Sequence, residues 1–68
     1  VGRMKILIWQ VRKQKGVTLI ELADRTHIGK TTLNDYENGK FSPTLRQLET
    51  IAKALGVRIT DLFESEYK

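Results

Sequence analysis

Seven side chains in the first two thirds of the chain, Thr18, Lys30, Thr31, Asn34, Asp35, Asn38 and Lys40, carry its most concentrated recognition chemistry. Lysine only donates hydrogen bonds, an ionised aspartate only accepts them, and asparagine and threonine do both. From Lys30 onward the spacing puts Lys30, Thr31, Asn34, Asp35 and Asn38 on one face of a helix over about 30–37, with Leu33, Tyr36 and Glu37 sharing the other. A short helix that presents such a row outward can enter the major groove of double-stranded DNA. There the N-terminal part of the helix reads base edges, and caps and flanking basic groups position it on phosphates. On that reading Lys30, Thr31, Asn34 and Asp35 meet bases, while Thr18, Asn38 and Lys40 meet phosphate. Asp35 can only accept, so cytosine N4 is its expected target.

The elements that must position this row are legible from their start and stop signals. Thr18 and Glu21 form a Thr-x-x-Glu capping box that opens a helix with Leu19, Leu22, Ala23 and Thr26 on one side. A tight turn, Thr26-His27-Ile28-Gly29, follows, with Gly29 as the N-cap of the next helix and Gly39 just past its end. Upstream, residues from about Arg3 to Lys15 read as a first helix stopped by Gly16, with Met4, Leu7, Ile8 and Val11 facing the core. Ile6 and Trp9 project from roughly the opposite side of that helix, next to Lys13, as a surplus apolar pair that either the chain's own tail or a partner protein would cover. After a loop with Phe41 as an apolar anchor, Thr44 and Gln47 make a second capping box. The helix they open carries Leu45, Leu48, Ile51, Ala52 and Leu55 as its core stripe and ends at Gly56. Thr60 then caps a short last helix over Asp61 to Glu64, with Leu62 and Phe63 closing the core and a frayed tail beyond. Five helices and no strands is the expected count.

The run ELADRTHIGKTTLNDYENGK, followed by Pro43 and LRQLETIAKALGVRITDLF, resembles the Cro/C1-type helix-turn-helix regulator family over nearly the whole chain. Its most specific pieces are Glu37-Asn38-Gly39-Lys40 and Ile51-Ala52-Lys53-Ala54-Leu55-Gly56-Val57. The resemblance implies an all-α, compact five-helix, lambda-repressor-like domain over 1–68, with the motif over about 18–38. It also implies a sequence-specific DNA-binding transcriptional regulator, here expected to repress, and a structural ion pair between Arg12 and Glu37 that ties the first helix to the end of the recognition helix. Two departures stand out. Leu19 occupies the place where the family's first motif helix usually opens with a DNA-contacting Gln, and His27 stands where the turn usually has Gly. Histidine is among the residues that enter the left-handed region most readily, so the turn remains open to it.

Composition limits the alternatives. A formal net charge of +4 and a pI near 9.7 favour a polyanionic partner. The basic residues Arg3, Lys5, Arg12, Lys13 and Lys15 all precede the first acidic residue, Glu21. With no Cys and a single His, the chain has no thiolate nucleophile, no disulfide framework and no metal-ligand spacing. No metal or cofactor is expected, nor an enzyme, because no nucleophile, base and orienting group converge. Gly29-Lys30-Thr31 imitates the end of a phosphate-binding loop but lacks the upstream glycine and strand. No apolar run is long enough to span a membrane, and the absence of Cys suits a reducing cytoplasm. The rival to DNA binding is a helix-turn-helix domain used as a protein-interaction module through Ile6 and Trp9. Asp35 in the middle of the outer face and Leu19 favour that rival; Lys30, Thr31, Asn34 and Lys40 favour DNA. One recognition helix offers few base contacts, so a symmetric homodimer is expected, with Ile59, Leu62, Phe63 and Tyr67 as its first surface and Ile6 and Trp9 as its second.

Overall fold

Caps and glycines divide the chain much as the pattern predicts. The computed structural model describes residues 4–68, so the part of the expected first helix that begins at Arg3 lies outside the described residues. Four α-helices follow one another: α1 (Ile8–Lys15), α2 (Leu19–Thr26), α3 (Lys30–Glu37) and α4 (Leu45–Leu55). Both capping boxes form, Thr18 with Glu21 at α2 and Thr44 with Gln47 at α4. Gly16 and Gly56 take left-handed conformations that end α1 and α4.

The two ends of the chain depart from the all-helical expectation. Lys5–Ile6 form a short strand, β1, that pairs antiparallel with Phe63–Glu64, β2, in the register Lys5 with Glu64 and Ile6 with Phe63. The Leu7 N–H extends this ribbon by bonding the Leu62 carbonyl at 2.8 Å. Helix α1 therefore starts at Ile8 rather than near Arg3, and the short last helix is a single 3-10 turn, Ile59–Leu62, preceded by Arg58 rather than capped by Thr60. Met4-Lys5-Ile6-Leu7-Ile8 has no apolar–polar alternation, since Leu7 is as apolar as its neighbours, so nothing local marks the strand until a partner strand is available. That partner is almost sixty residues away in sequence, so local propensity could not supply it. The tail beyond β2 is folded back rather than frayed, with the Lys68 ammonium donating to the Phe63 carbonyl at 2.9 Å.

The core lies where all these elements meet. Ile8 and Val11 of α1, Val17, Leu22 of α2, Leu33 and Tyr36 of α3, Leu48, Ile51, Ala52 and Leu55 of α4, and Leu62 of the 3-10 turn are buried together. Each fully buried aliphatic side chain contributes roughly 1.5–3 kcal/mol of transfer free energy. Four expected apolar positions are outside it, and one of them, Leu7, is half-buried without joining it. Met4 is exposed because the chain there is not helical, Leu45 is 74% exposed, and Phe41 lies open on the loop instead of anchoring it. Leu45 begins α4 on the turn that extends past the core, so its helical phase is right and its height is wrong. Ile51→Ala is expected to cost about 2–5 kcal/mol of unfolding free energy. Leu45→Ala should change it by no more than about 0.5 kcal/mol. Urea denaturation measures both, and equal losses would place Leu45 in the core after all.

Candidate nucleic-acid interface

The candidate interface is the outward face of α3, held from behind. Helix α2 ends in a turn made rigid by Thr26, a buried polar residue whose hydroxyl donates to the Leu22 carbonyl at 2.8 Å and accepts the Ile28 N–H at 3.2 Å. His27 follows in the left-handed region at φ 59°, its N–H bonding the Ala23 carbonyl, which reverses the chain in time for Gly29 to cap α3. Leu19 turns toward the core and packs against it. The place where the resembled family carries a DNA-contacting Gln is therefore structural in this chain.

Along α3, Leu33 and Tyr36 are buried and Lys30, Thr31, Asn34 and Asn38 are exposed on the other side, as their spacing predicts. Asp35 is half-buried, at the edge of the exposed face rather than at its centre. None of these outward side chains has a hydrogen-bond partner within the described residues, so their donors and acceptors are free for an external ligand. Lys40 follows Gly39, its N–H bonded to the Asp35 carbonyl at 2.9 Å and its ammonium over the exposed Phe41 ring at 5.9 Å. Thr18 stands at the start of α2. Its oxygen accepts the Glu21 N–H at 3.1 Å, closing the cap of α2. The structure thus brings Lys30, Thr31, Asn34 and Asp35 together on one helix, with Asn38 as its C-cap, Lys40 in the loop after it and Thr18 as the N-cap of the neighbouring helix.

The expected ion pair is formed. Arg12 donates from Nε to Glu37 Oε2 at 2.9 Å and from Nη2 to Glu37 Oε1 at 3.1 Å, a two-point fork. Its Nη1 donates to the Val17 carbonyl at 3.2 Å. The side chains are 11% and 5% exposed, so the fork is largely withdrawn from water. One guanidinium therefore joins α1, the α1–α2 turn and the end of α3. The apolar pair Ile6 and Trp9 does not form a surface. Ile6 packs against the core from within the ribbon, and of the two only Trp9 is open, with the Lys13 ammonium 5.6 Å from its ring centre. In the C-terminal region Leu62 is fully buried and unavailable to a partner, Ile59 and Phe63 are half-buried, and Tyr67 is exposed. Spacing marks Tyr36 as packing and Gln47 as a cap but does not join them; the Tyr36 hydroxyl donates to Gln47 Oε1.

With this geometry in place, the comparisons are direct. A helix-turn-helix family model matches residues 10–62. The chain is 41% identical over 61 residues to an uncharacterized HTH-type transcriptional regulator of Methanothermobacter thermautotrophicus, covering 88% of each. It is 30% identical over 56 residues to the immunity repressor protein of Bacillus phage phi105, covering 82% of this chain but 39% of that one. The crystal structure of the clp gene regulator ClgR from C. glutamicum superposes with a TM-score of 0.76 at 31% identity, over 79% of this chain and 70% of that one. The chain belongs to the helix-turn-helix family, in its Cro/C1-type branch of DNA-binding transcriptional regulators. No helix among the described residues is long and apolar enough to cross a membrane.

Two outcomes test the scaffold. A double-mutant cycle on Arg12→Ala and Glu37→Ala should give a coupling of about 1 kcal/mol or more in folding stability, whereas additive losses would mean the fork carries nothing. The second concerns Glu21, whose carboxyl is held below its ordinary pKa, first by the Thr18 backbone N–H and then by the Thr18 hydroxyl. A depressed folded value means that this stabilisation is present at neutral pH and lost as pH falls through the folded value. Glu21→Gln should therefore flatten the acid limb of a stability-versus-pH curve; an unchanged limb would show that the capping carboxylate is not the titrating group.

Proposed function

We propose that this chain, as a single domain over 1–68, is a sequence-specific transcriptional repressor that reads double-stranded DNA with α3. The observation that carries the reading is the unpaired polar face of α3, held by the Arg12–Glu37 fork on its inner edge. Lys30, Thr31, Asn34 and Asp35 are assigned to base edges in the major groove, and Thr18, Asn38 and Lys40 to phosphates on either side. An ammonium such as Lys30 suits guanine O6 and N7, and the Asp35 carboxylate suits cytosine N4. The net charge of +4 draws the domain to the polyanion before any base is read. Repression would follow from occupancy, since a protein seated over a promoter excludes polymerase without a catalytic step. With Ile6 covered, Trp9 is the member of the Ile6/Trp9 pair that the alternative of a protein-interaction module still has available.

The working species is proposed to be a homodimer. Each base contact discriminates by about 1–3 kcal/mol, and one eight-residue helix presents only a few. Two copies would place their recognition helices about 34 Å apart and read a palindrome. Ile59, Phe63 and Tyr67 are the residues we assign to that contact.

The experiment is a mobility-shift titration on a duplex selected from a random pool, at several salt concentrations. Affinity should fall steeply with salt, Lys40→Ala should reduce the slope of log K against log salt by about one, and Asp35→Ala should relax preference at one base pair. A salt-independent wild type, or an Asp35→Ala that merely tightens binding to all DNA, would refute the assignments. Binding of one chain to a site without two-fold symmetry would refute the dimer.

A further inference from the structure

A polar contact on the inner side of α3 links the base-reading face to the loop that follows it. Gln47 Oε1 closes the capping box of α4 by accepting the Thr44 N–H at 3.2 Å, and the same oxygen accepts the Tyr36 hydroxyl. A carbonyl oxygen offers two lone pairs, so these two donors saturate it. Tyr36 lies in the last turn of α3 and Thr44 immediately precedes α4. Between them runs the segment 38–43, which carries Asn38 and Lys40. Its first end is tied to α3 by the Lys40 N–H on the Asp35 carbonyl. Its second end is tied to α3 through Gln47.

We propose that the Tyr36 hydroxyl and Gln47 form a positioning pair that sets the distance between the base-reading face of α3 and the phosphate-contacting loop, without touching DNA. The Tyr36 ring is 5% exposed and would pack equally well as phenylalanine. Apolar packing is non-directional, so the ring alone allows α3 to roll against α4; a hydrogen bond restricts that roll. Specific binding needs base edges and phosphates met together, whereas non-specific binding needs phosphates only. Loosening the pair therefore weakens the first more than the second. Stability should change little on removing the hydroxyl, because Gln47 Oε1 still accepts from Thr44 and no buried group is orphaned.

The inference rests on the DNA reading above, and the test separates the two. Wild type, Tyr36→Phe, Gln47→Met and the double variant are titrated against a duplex selected by the wild-type protein and against a scrambled duplex, with melting temperatures recorded alongside. Tyr36→Phe should lose about threefold to tenfold in affinity for the selected duplex, the value of one hydrogen bond, with scrambled-duplex affinity unchanged. Gln47→Met should act in the same direction, and the double variant should bind the selected duplex no worse than Gln47→Met. Should Gln47→Met fail to fold, Tyr36→Phe carries the test alone. The positioning role is overturned if Tyr36→Phe binds the selected duplex like wild type, or if both affinities fall in equal proportion, as a purely structural role would require. A wild type that selects no duplex sinks the DNA reading and this inference with it.

Discussion

The fork between Arg12 and Glu37 is the constraint on which the rest of the structure depends. Helix α3 has eight residues, too few to be stable in water by itself, so its existence and its angle are both tertiary properties. Leu33 and Tyr36 press its inner face onto the core, and that contact alone leaves rotation about the helix axis poorly determined. A two-point guanidinium–carboxylate contact is directional, and Arg12 extends it to the Val17 carbonyl, so the end of α3 is referenced to α1 and to the turn before α2. Withdrawing both charges from water cancels much of their attraction. The pair is better understood as fixing orientation than as adding stability.

That arrangement separates the duties of the two faces of α3. Apolar and paired groups are spent inward, on Leu33, Tyr36 and Glu37, and the outward groups carry no partner among the described residues. A domain of this size has few side chains to spare, which explains why several serve twice. Gln47 caps α4 and receives Tyr36, and Arg12 pairs with Glu37 while donating to the Val17 carbonyl. Thr26 likewise satisfies its own burial and shapes the turn into α3.

The ribbon of β1 and β2 solves a different problem. Without it the two chain ends would leave Ile6, Phe63 and the start of α1 exposed, since Leu7 provides no side-chain cap. Pairing Ile6 with Phe63 covers both and closes the core over Ile8 and Leu62. The same pairing removes Ile6 from any docking surface, which narrows the apolar patch on α1 to Trp9 and strengthens the case for the polar face of α3 as the functional one.

How much of this was legible in the residues follows from the range of each interaction. Caps, glycine stops and helical spacing act over three or four residues, and so α2, α3, the body of α4, both capping boxes and the outward row on α3 could be read directly. The motif resemblance added the Arg12–Glu37 pair, which spans 25 positions and has no local signature. What only the tertiary structure decided are contacts between distant segments and the height of the core. The ribbon between the chain ends, the exposure of Leu45 and Phe41, and the meeting of Tyr36 with Gln47 all belong to that group. Helical phase tells which way a side chain points; only the packed neighbours determine whether anything is there to meet it.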